Sequence, residues 1–130
     1  MKEIVSKFSE IERRTSDEKG EYDLFALFLR EDSSDKWDIL VAAEWISKNK
    51  QIALKYLSQI IQESFSLSEL LNISRIVIIE EDEPALPIIQ QAVSCEHSNI
   101  EIKDSNFFGL EIKHAYIITS KKRNAEVQRE

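Results

Sequence analysis

Hydrophobic residues recur along this chain with the spacings of regular secondary structure. Residues 2–15 and 47–65 place apolar side chains on one stripe of a helix and polar side chains on the other faces. A third helix is predicted over residues 84–93, because Pro84 suits a first helical position and the acidic residues before it favour the positive end of the helix dipole. Residues 66–71 open with the Ser-x-x-Glu spacing of a capping box, which predicts a short helical turn.

Runs rich in aliphatic and aromatic side chains predict five strands. They cover residues 22–30, 37–45, 74–79, 98–103 and 113–120. The first two runs flank a polar loop and predict a hairpin, and the lack of a polar face predicts that both strands are covered on both sides. The third run is predicted to be a buried strand. Residues 104–109 are predicted to form the loop between the last two strands.

The predicted elements follow the order helix, strand, strand, helix, strand, helix, strand, strand. Alternation in the middle of the chain, with hairpins on either side, predicts an α+β fold: one mixed sheet of about five strands with three main helices. The pattern sets no strand order. We expect residues 1–120 to form one compact domain and residues 121–130 to form a charged, frayed tail.

Composition narrows the possible functions. The 130 residues include 17 Lys and Arg against 24 Asp and Glu, a net charge of -7, which argues against a basic face for nucleic acid. Two glycines cannot supply the glycine-rich loops that hold nucleotide phosphates. A single cysteine excludes an intramolecular disulfide, and no apolar run has the length of a membrane span. We therefore expect a cytoplasmic protein with no cofactor and no resident metal ion.

Two acidic segments are candidate binding surfaces. Glu80, Glu81, Asp82 and Glu83 follow the third strand directly, where open α/β sheets bind ligands. They also precede a predicted helix, whose first turn favours acidic residues. Their role is therefore either to cap that helix or to bind a ligand, which would be a divalent cation or a basic partner. The hairpin loop at residues 31–36 offers further negative surface to a basic partner.

Aromatic residues supply a second set of candidates. Trp37 and Trp45 bracket the predicted second strand, and strand parity places both indoles on one face. They either close the two ends of the core or anchor a partner, since Trp is enriched among residues that carry binding energy. Phe107 and Phe108 are adjacent in a predicted loop, where both rings cannot easily turn inward. One of them is expected to contact another chain or a ligand.

Asp104, Glu111 and Lys113 form the only string with the composition of a hydrolytic metal site. Two carboxylates and a lysine can hold a divalent cation and orient a water molecule. The string is similar to the Asp…Glu-x-Lys signature of the restriction-endonuclease-like nucleases, which implies phosphodiester hydrolysis by these three residues. The other interpretation is that the charges simply alternate with buried residues on an antiparallel strand.

The chain's only cysteine lies close to a histidine. Cys95 and His97 could act as nucleophile and base, since a neighbouring imidazole activates a thiolate. No residue that would orient His97 is apparent from the sequence, and a small buried cysteine at the end of a helix is the other interpretation. His114 is expected to face either Glu111 or a neighbouring strand.

Two function classes follow from these patterns. The absence of a strong catalytic motif favours a small acidic, non-enzymatic interaction module that binds a protein partner or itself, as an inhibitor or regulator of a basic partner would. A homodimer is expected, because the sheet has two potentially open edges. The alternative is a metal-dependent phosphodiesterase or nuclease that uses Asp104, Glu111 and Lys113.

Overall fold

The computed structural model describes residues 2–30, 36–107 and 109–122 of the chain. Its elements, in chain order, are α1 (Lys2–Lys19), β1 (Leu24–Arg30), β2 (Trp37–Ala42), α2 (Glu44–Lys48), α3 (Lys50–Ser64), α4 (Leu67–Leu70), β3 (Ile73–Ile78), α5 (Ala85–Ala92), β4 (Ile100–Phe107) and β5 (Leu110–Ser120). The predicted class is confirmed: the fold is α+β, with one mixed five-stranded sheet and three main helices, α1, α3 and α5.

The five strands lie in the order β3-β2-β1-β5-β4. β1 is central and pairs antiparallel with both β2 and β5, while β4 pairs antiparallel with β5. β3 runs parallel to β2, which requires a crossover connection, and α3 lies within that connection. The two edges of the sheet are therefore β3 and β4, one parallel to its neighbour and one antiparallel.

One side of the sheet, here called the first face, is covered by α1, α2 and α3. The apolar stripe of α1, including Phe8, packs on Phe25 of β1 and on Phe65, with ring centroids 6.3 and 4.8 Å apart. α3 adds Leu57 and Ile60 to the same cluster. The predicted stripe of α1 therefore builds this layer of the core, together with the later part of the α3 stripe. Ile52 and Leu54, at the start of α3, were predicted to lie on that stripe but are exposed.

The other side, here called the second face, is covered by α5. Leu86 and Ile89 of this helix pack over Phe28 of β1, Leu40 of β2 and Ile117 of β5. Because both faces are covered, every residue of β2 is buried, and so is every residue of β1 except its last, Arg30. The prediction that these two strands lie between two layers is confirmed.

The helical segment predicted over residues 47–65 is divided in two. α2 begins at Glu44, so Trp45 lies on a helix and the second strand ends at Ala42, earlier than predicted. Asn49 separates α2 from α3, and its side chain accepts a hydrogen bond from Ile52 N at 3.1 Å. This Asn cap starts a new helix in place of continuing the old one. The predicted capping box of α4 is present in full.

Two strand predictions were wrong, one in burial and one in extent. The run around Ile76 was predicted to be buried, but β3 lies at the edge of the sheet and none of its residues is buried. The stretch from Asp104 to Asn106 was predicted to be a loop, but it continues β4. Polar residues suit an exposed edge strand, so their polarity did not mark a turn. Residues 123–130 of the predicted tail lie outside the described residues.

Candidate binding surface

β3 presents an apolar edge. Ile73, Ile76, Val77 and Ile78 are half-buried, because each packs on the sheet core through one side while the outer side of the strand carries no neighbouring strand among the described residues. An edge of this kind can template pairing with another chain.

The backbone of β3 is oriented for such pairing. Ile79 N donates to Val41 O of β2 at 2.8 Å, so the peptide groups of this residue face the sheet. Backbone groups alternate sides along an extended strand. The N–H and C=O of Ile78 and Ile76 therefore point away from β2 and toward the outside of the sheet.

The acidic run forms a turn directly after β3. Glu83 N donates to Glu80 O at 3.0 Å, and the Glu83 carboxylate accepts from Ala85 N at 3.1 Å, which places that side chain in a capping position at the start of α5. Glu80 pairs with Lys50 at 2.6 Å on the surface. Glu81 and Asp82 are exposed. The capping interpretation thus fits Glu83, and the remaining three carboxylates lie on the surface at the end of β3.

Exposed leucines lie at the other end of β3. Leu67 and Leu71 are 83% and 70% exposed, and the hydrogen bond from Leu71 N to Leu67 O places them one turn apart. Asn72, which follows them, accepts a hydrogen bond from Trp37 N at 2.9 Å and so leads the chain into the sheet. The β3 edge therefore has apolar surface at its amino end and negative charge at its carboxyl end.

A salt-bridge cluster crosses the second face beside β3. Asp38 is buried, and its two oxygens lie 3.0 Å from Arg30 Nε and 3.4 Å from Arg75 Nε. Register places Asp38 next to Arg75 across the parallel pair. The arrangement compensates a buried carboxylate with two guanidinium groups, which is what burial of a charge requires. A pocket of about 170 Å³ lies against this cluster and extends along Val77 toward Glu83.

Both tryptophans pack against the core of the first face. The Trp37 ring is 5% exposed and lies with its centroid 5.7 Å from that of Tyr116. Trp45 is half-buried, donates from Nε1 to Gly20 O at 2.9 Å and meets Tyr22 edge-on at 5.6 Å. These positions match the core-closing role that the sequence left open. A partner-anchoring role for Trp37 and Trp45 stays a prediction.

Part of the predicted surface lies outside the described residues. This applies to Phe108, to residues 31–35 of the acidic hairpin loop and to the side chain of Phe107. A contact by either phenylalanine stays a prediction.

The three residues of the hydrolytic alternative lie on the β4–β5 hairpin. The register of the hairpin pairs Lys103 with His114 and Ser105 with Ile112, which places Asp104 opposite Lys113. Glu111 pairs with Asn106, further toward the turn. Asp104 has a φ of 51°, and it is exposed, as are Glu111 and Lys113. Within residues 2–30, 36–107 and 109–122, no group of three or more His, Cys, Asp or Glu side chains could hold a metal ion. We find no observation that favours this alternative.

Cys95 and His97 serve different faces of the sheet. The Cys95 thiol donates to the main-chain carbonyls of Ile117 and Ile118 and packs against the cluster of the second face. Burial raises the pKa of the Cys95 thiol, which disfavours the thiolate that a nucleophilic role requires. His97 instead reaches α1, where its Nδ1 lies 2.8 Å from Glu12 Oε1.

A buried carboxylate, Glu12, is the polar residue that sequence reasoning missed. It is 1% exposed, and its other oxygen accepts from Thr119 Oγ1 at 2.8 Å, while Thr119 Oγ1 accepts from His97 N at 3.1 Å. The signal was present: Glu12 lies four residues after Phe8 and therefore falls on the apolar stripe of α1. A charge at such a position implies a buried partner.

His114 faces the neighbouring strand, one of its two predicted positions. Its Nε2 lies 2.5 Å from Glu101 Oε2 on β4, and its ring stacks beside that of Tyr116 with centroids 4.8 Å apart. The pair lies at the exposed border of the first face. It joins β4 to β5 by side chains as well as by the backbone ladder.

No helix among the described residues is both long enough and apolar enough to cross a bilayer. Comparison with protein-family models, with curated proteins and with solved structures finds no match to this chain.

Proposed function

We propose that the protein is a non-enzymatic binding module that adds an extended, basic segment of a protein partner to its sheet at the β3 edge. The observation that carries this proposal is the outward direction of the Ile76 and Ile78 backbone groups on a half-buried apolar strand at the end of the sheet. In strand addition, main-chain hydrogen bonds supply affinity and side chains supply selectivity.

The acidic turn supports a basic partner. Glu81 and Asp82 are exposed just beyond the carboxyl end of β3, and the whole chain carries a net charge of -7. A basic segment would be attracted by this field and oriented by the turn. We favour antiparallel addition, since antiparallel ladders are slightly more stable per residue. The amino-terminal end of the partner segment would then meet the acidic turn.

The test uses a short labelled peptide that begins with lysines and continues with alternating aliphatic and polar residues. A second peptide has the same residues in reverse order. Fluorescence anisotropy should show binding of the first peptide, weakened by salt, and at least about tenfold weaker binding of the second, because its lysines lie at the wrong end. No binding of the first peptide at any salt concentration would contradict the proposal.

A charge-reversal variant tests the role of the turn. Glu81→Lys combined with Asp82→Lys should weaken binding of the lysine peptide at least about tenfold, because like charges would then face each other. Glu3→Lys combined with Glu10→Lys is the matched control, since both residues are exposed on α1 and the change in net charge is identical. If both variants lost the same peptide affinity, net charge alone would explain the loss. That result would contradict recognition at the turn.

The other occupant of this edge would be a second copy of the chain. Sedimentation velocity of the protein alone distinguishes the two. A dimer that the lysine peptide cannot dissociate would assign the edge to self-association and contradict the proposed partner. A monomer that binds the peptide supports it.

A further inference from the structure

The pocket beside β3 has an apolar interior. Its volume is about 170 Å³, and it lies on the second face with Phe28 and Leu40 as buried residues of its floor. Val77 and Ile79 form the wall nearest the sheet edge. A side chain that approaches from outside β3 on this face would meet these two residues first.

The charges around the pocket already have partners within the protein. Asp38 lies between Arg30 and Arg75 at 3.0 and 3.4 Å, and the Glu83 carboxylate accepts from Ala85 N. An ionic ligand would have to displace these contacts, at the cost of separating a buried ion pair. The surface that remains for a ligand is therefore the apolar part of the pocket.

We infer that this pocket receives one large apolar side chain of the partner segment, an inference that rests on the proposed strand addition. A cavity of about 150 Å³ lined by aliphatic and aromatic side chains is known to hold benzene. The pocket here, at about 170 Å³, has room for a phenyl ring. The partner's anchor is therefore a phenylalanine or a residue of similar size.

The position of the anchor follows from the register of an added antiparallel strand. The side chain of the residue opposite Val77 lies on the same face as Val77, and this is a non-hydrogen-bonded pair, in which side chains approach most closely. Glu81 and Asp82 lie four and five residues after Val77. The partner's basic residues therefore precede its anchor by about four to five positions.

The experiment compares two lysine peptides that differ only at the anchor position, one with Phe and one with Ala. Wild type should bind the Phe peptide at least about tenfold more tightly, because truncation of a buried anchor has a cost of this size. Leu40→Phe fills the pocket from its floor and should reduce the preference to less than about threefold. Leu54→Phe, on the exposed surface of α3, is the matched control and should keep the full preference.

Each outcome bears on one of the two proposals. Equal affinity of wild type for the Phe and Ala peptides would overturn the pocket assignment and leave strand addition intact. Failure of both peptides to bind would overturn strand addition, and the pocket assignment with it. If Leu40→Phe does not fold, methyl NMR of wild type replaces it: both peptides should shift the Val77 signals, but only the Phe peptide should shift those of Leu40 inside the pocket. Identical Leu40 shifts with both peptides would overturn the assignment.

Discussion

The two edges of the sheet differ in how they meet solvent. β4 exposes Glu101, Lys103 and Asp104, and the φ of 51° at Asp104 interrupts its extended backbone. β3 exposes Ser74 and Arg75, beside a register irregularity in its pairing with β2, and from Ile76 to Ile78 it offers isoleucine and valine side chains on a regularly paired strand. Charge and backbone irregularity are the devices that prevent edge-to-edge pairing. The β4 edge therefore carries features that oppose the addition of a strand, while the Ile76–Ile78 part of the β3 edge carries none of them.

The two edges also differ in how they are held. The segment before β4 is held in two ways. The backbones of Cys95 and Ser120 form an isolated antiparallel β-bridge, and His97 contacts Glu12 of α1 and Thr119 of β5. His97 adopts a φ of 52°, a left-handed conformation that these contacts hold in place. β3 pairs with β2 alone, as β4 does with β5. The segment before β4 is thus held by a buried polar network that reaches α1, whereas the segment before β3 is held by the Lys7–Glu69 contact on the surface.

The largest effect is expected from removing Glu12, the buried carboxylate that contacts His97 and Thr119. Glu12→Ala leaves His97 and Thr119 without their shared carboxylate and opens a small cavity on the first face. We expect the free energy of unfolding to fall by about 2–4 kcal/mol. That loss corresponds to a fall in Tm of roughly 6–16 °C for a domain of this size, measured by circular dichroism.

Two companion variants isolate the cause. Glu10→Ala, on the exposed side of α1, should change stability by less than about 0.5 kcal/mol. Thr119→Val removes one of the two contacts of Glu12 and should cost about 1 kcal/mol. A Glu12→Ala melt equal to that of Glu10→Ala would show that the network does not hold the β4 side. Hydrogen exchange should accelerate in β4 before β3 in the Glu12 variant.

The next effect concerns the backbone of the β3 edge. A lysine peptide N-methylated at the amides that face β3 should bind at least about 30-fold more weakly, because two to three hydrogen bonds of about 0.5–1.5 kcal/mol each are lost. A peptide methylated at the alternate amides keeps those bonds and should bind within about threefold of the unmodified peptide. Anisotropy measures both. Equal weakening would mean that the peptide does not bind as a strand.

A smaller effect is expected from making the β4 edge resemble the β3 edge. Glu101→Val combined with Lys103→Val replaces exposed charges of β4 by β-branched residues, each pair of which adds about 0.2–1 kcal/mol across strands. A sheet that is open at both edges can form chains of subunits. Sedimentation velocity should show larger species than wild type forms.

The matched control for that variant is Lys55→Val combined with Glu63→Val, two exposed residues of α3 with the same charges. It should sediment like wild type. Identical sedimentation of the β4 variant and this control would show that the charges of β4 do not protect the edge.

The smallest effect is a pH dependence at the helix that leads into β3. The hydrogen bond from Lys7, at 2.8 Å, lowers the pKa of Glu69, with a further contribution from Ser66 N. A lowered folded-state pKa means that this contact stabilises above the unfolded pKa of about 4.3 and is lost as the pH falls through the lower folded value. The stability difference between wild type and Lys7→Gln should therefore shrink below about pH 4.

Urea unfolding at several pH values measures this difference. Lys55→Gln, an exposed lysine on α3, is the control and should show no such trend. The ring of Phe65 lies 5.3 Å from Lys7 Nζ, a contact that the variant also loses. Because that loss does not depend on the charge of Glu69, a constant stability difference across the pH range would mean that the ion pair contributes nothing.

Local sequence patterns predicted the elements better than their places in the sheet. The stripe of α1 and the Ser66–Glu69 capping box depend on neighbours within one or two turns, and they appear as expected. The apolar run at Ile76 gave the correct element but the wrong burial, since an edge strand between two layers has the same composition as a central one. Whether a strand lies at the edge or in the centre of the sheet depends on its pairing with segments far away in the chain.

The candidate site was predictable only in part. The negative charge of Glu81 and Asp82 is visible in the sequence. The outward direction of the Ile76 N–H and C=O groups is not, because it depends on which side of β3 pairs with β2. The capping of α5 by Glu83 was an expected role. The pocket beside Val77 needs residues of three strands and a turn, and no local pattern places those together.

The central position of β1 has a consequence for biosynthesis. Its partner on one side is β2, only a short loop away, but on the other side Leu24 pairs with Ser120 of β5. Such long-range pairing slows folding, because the chain must close a large loop before the contact gains anything. A nascent chain would therefore keep one side of β1 uncovered until β5 has left the ribosome, and would need protection from aggregation until then.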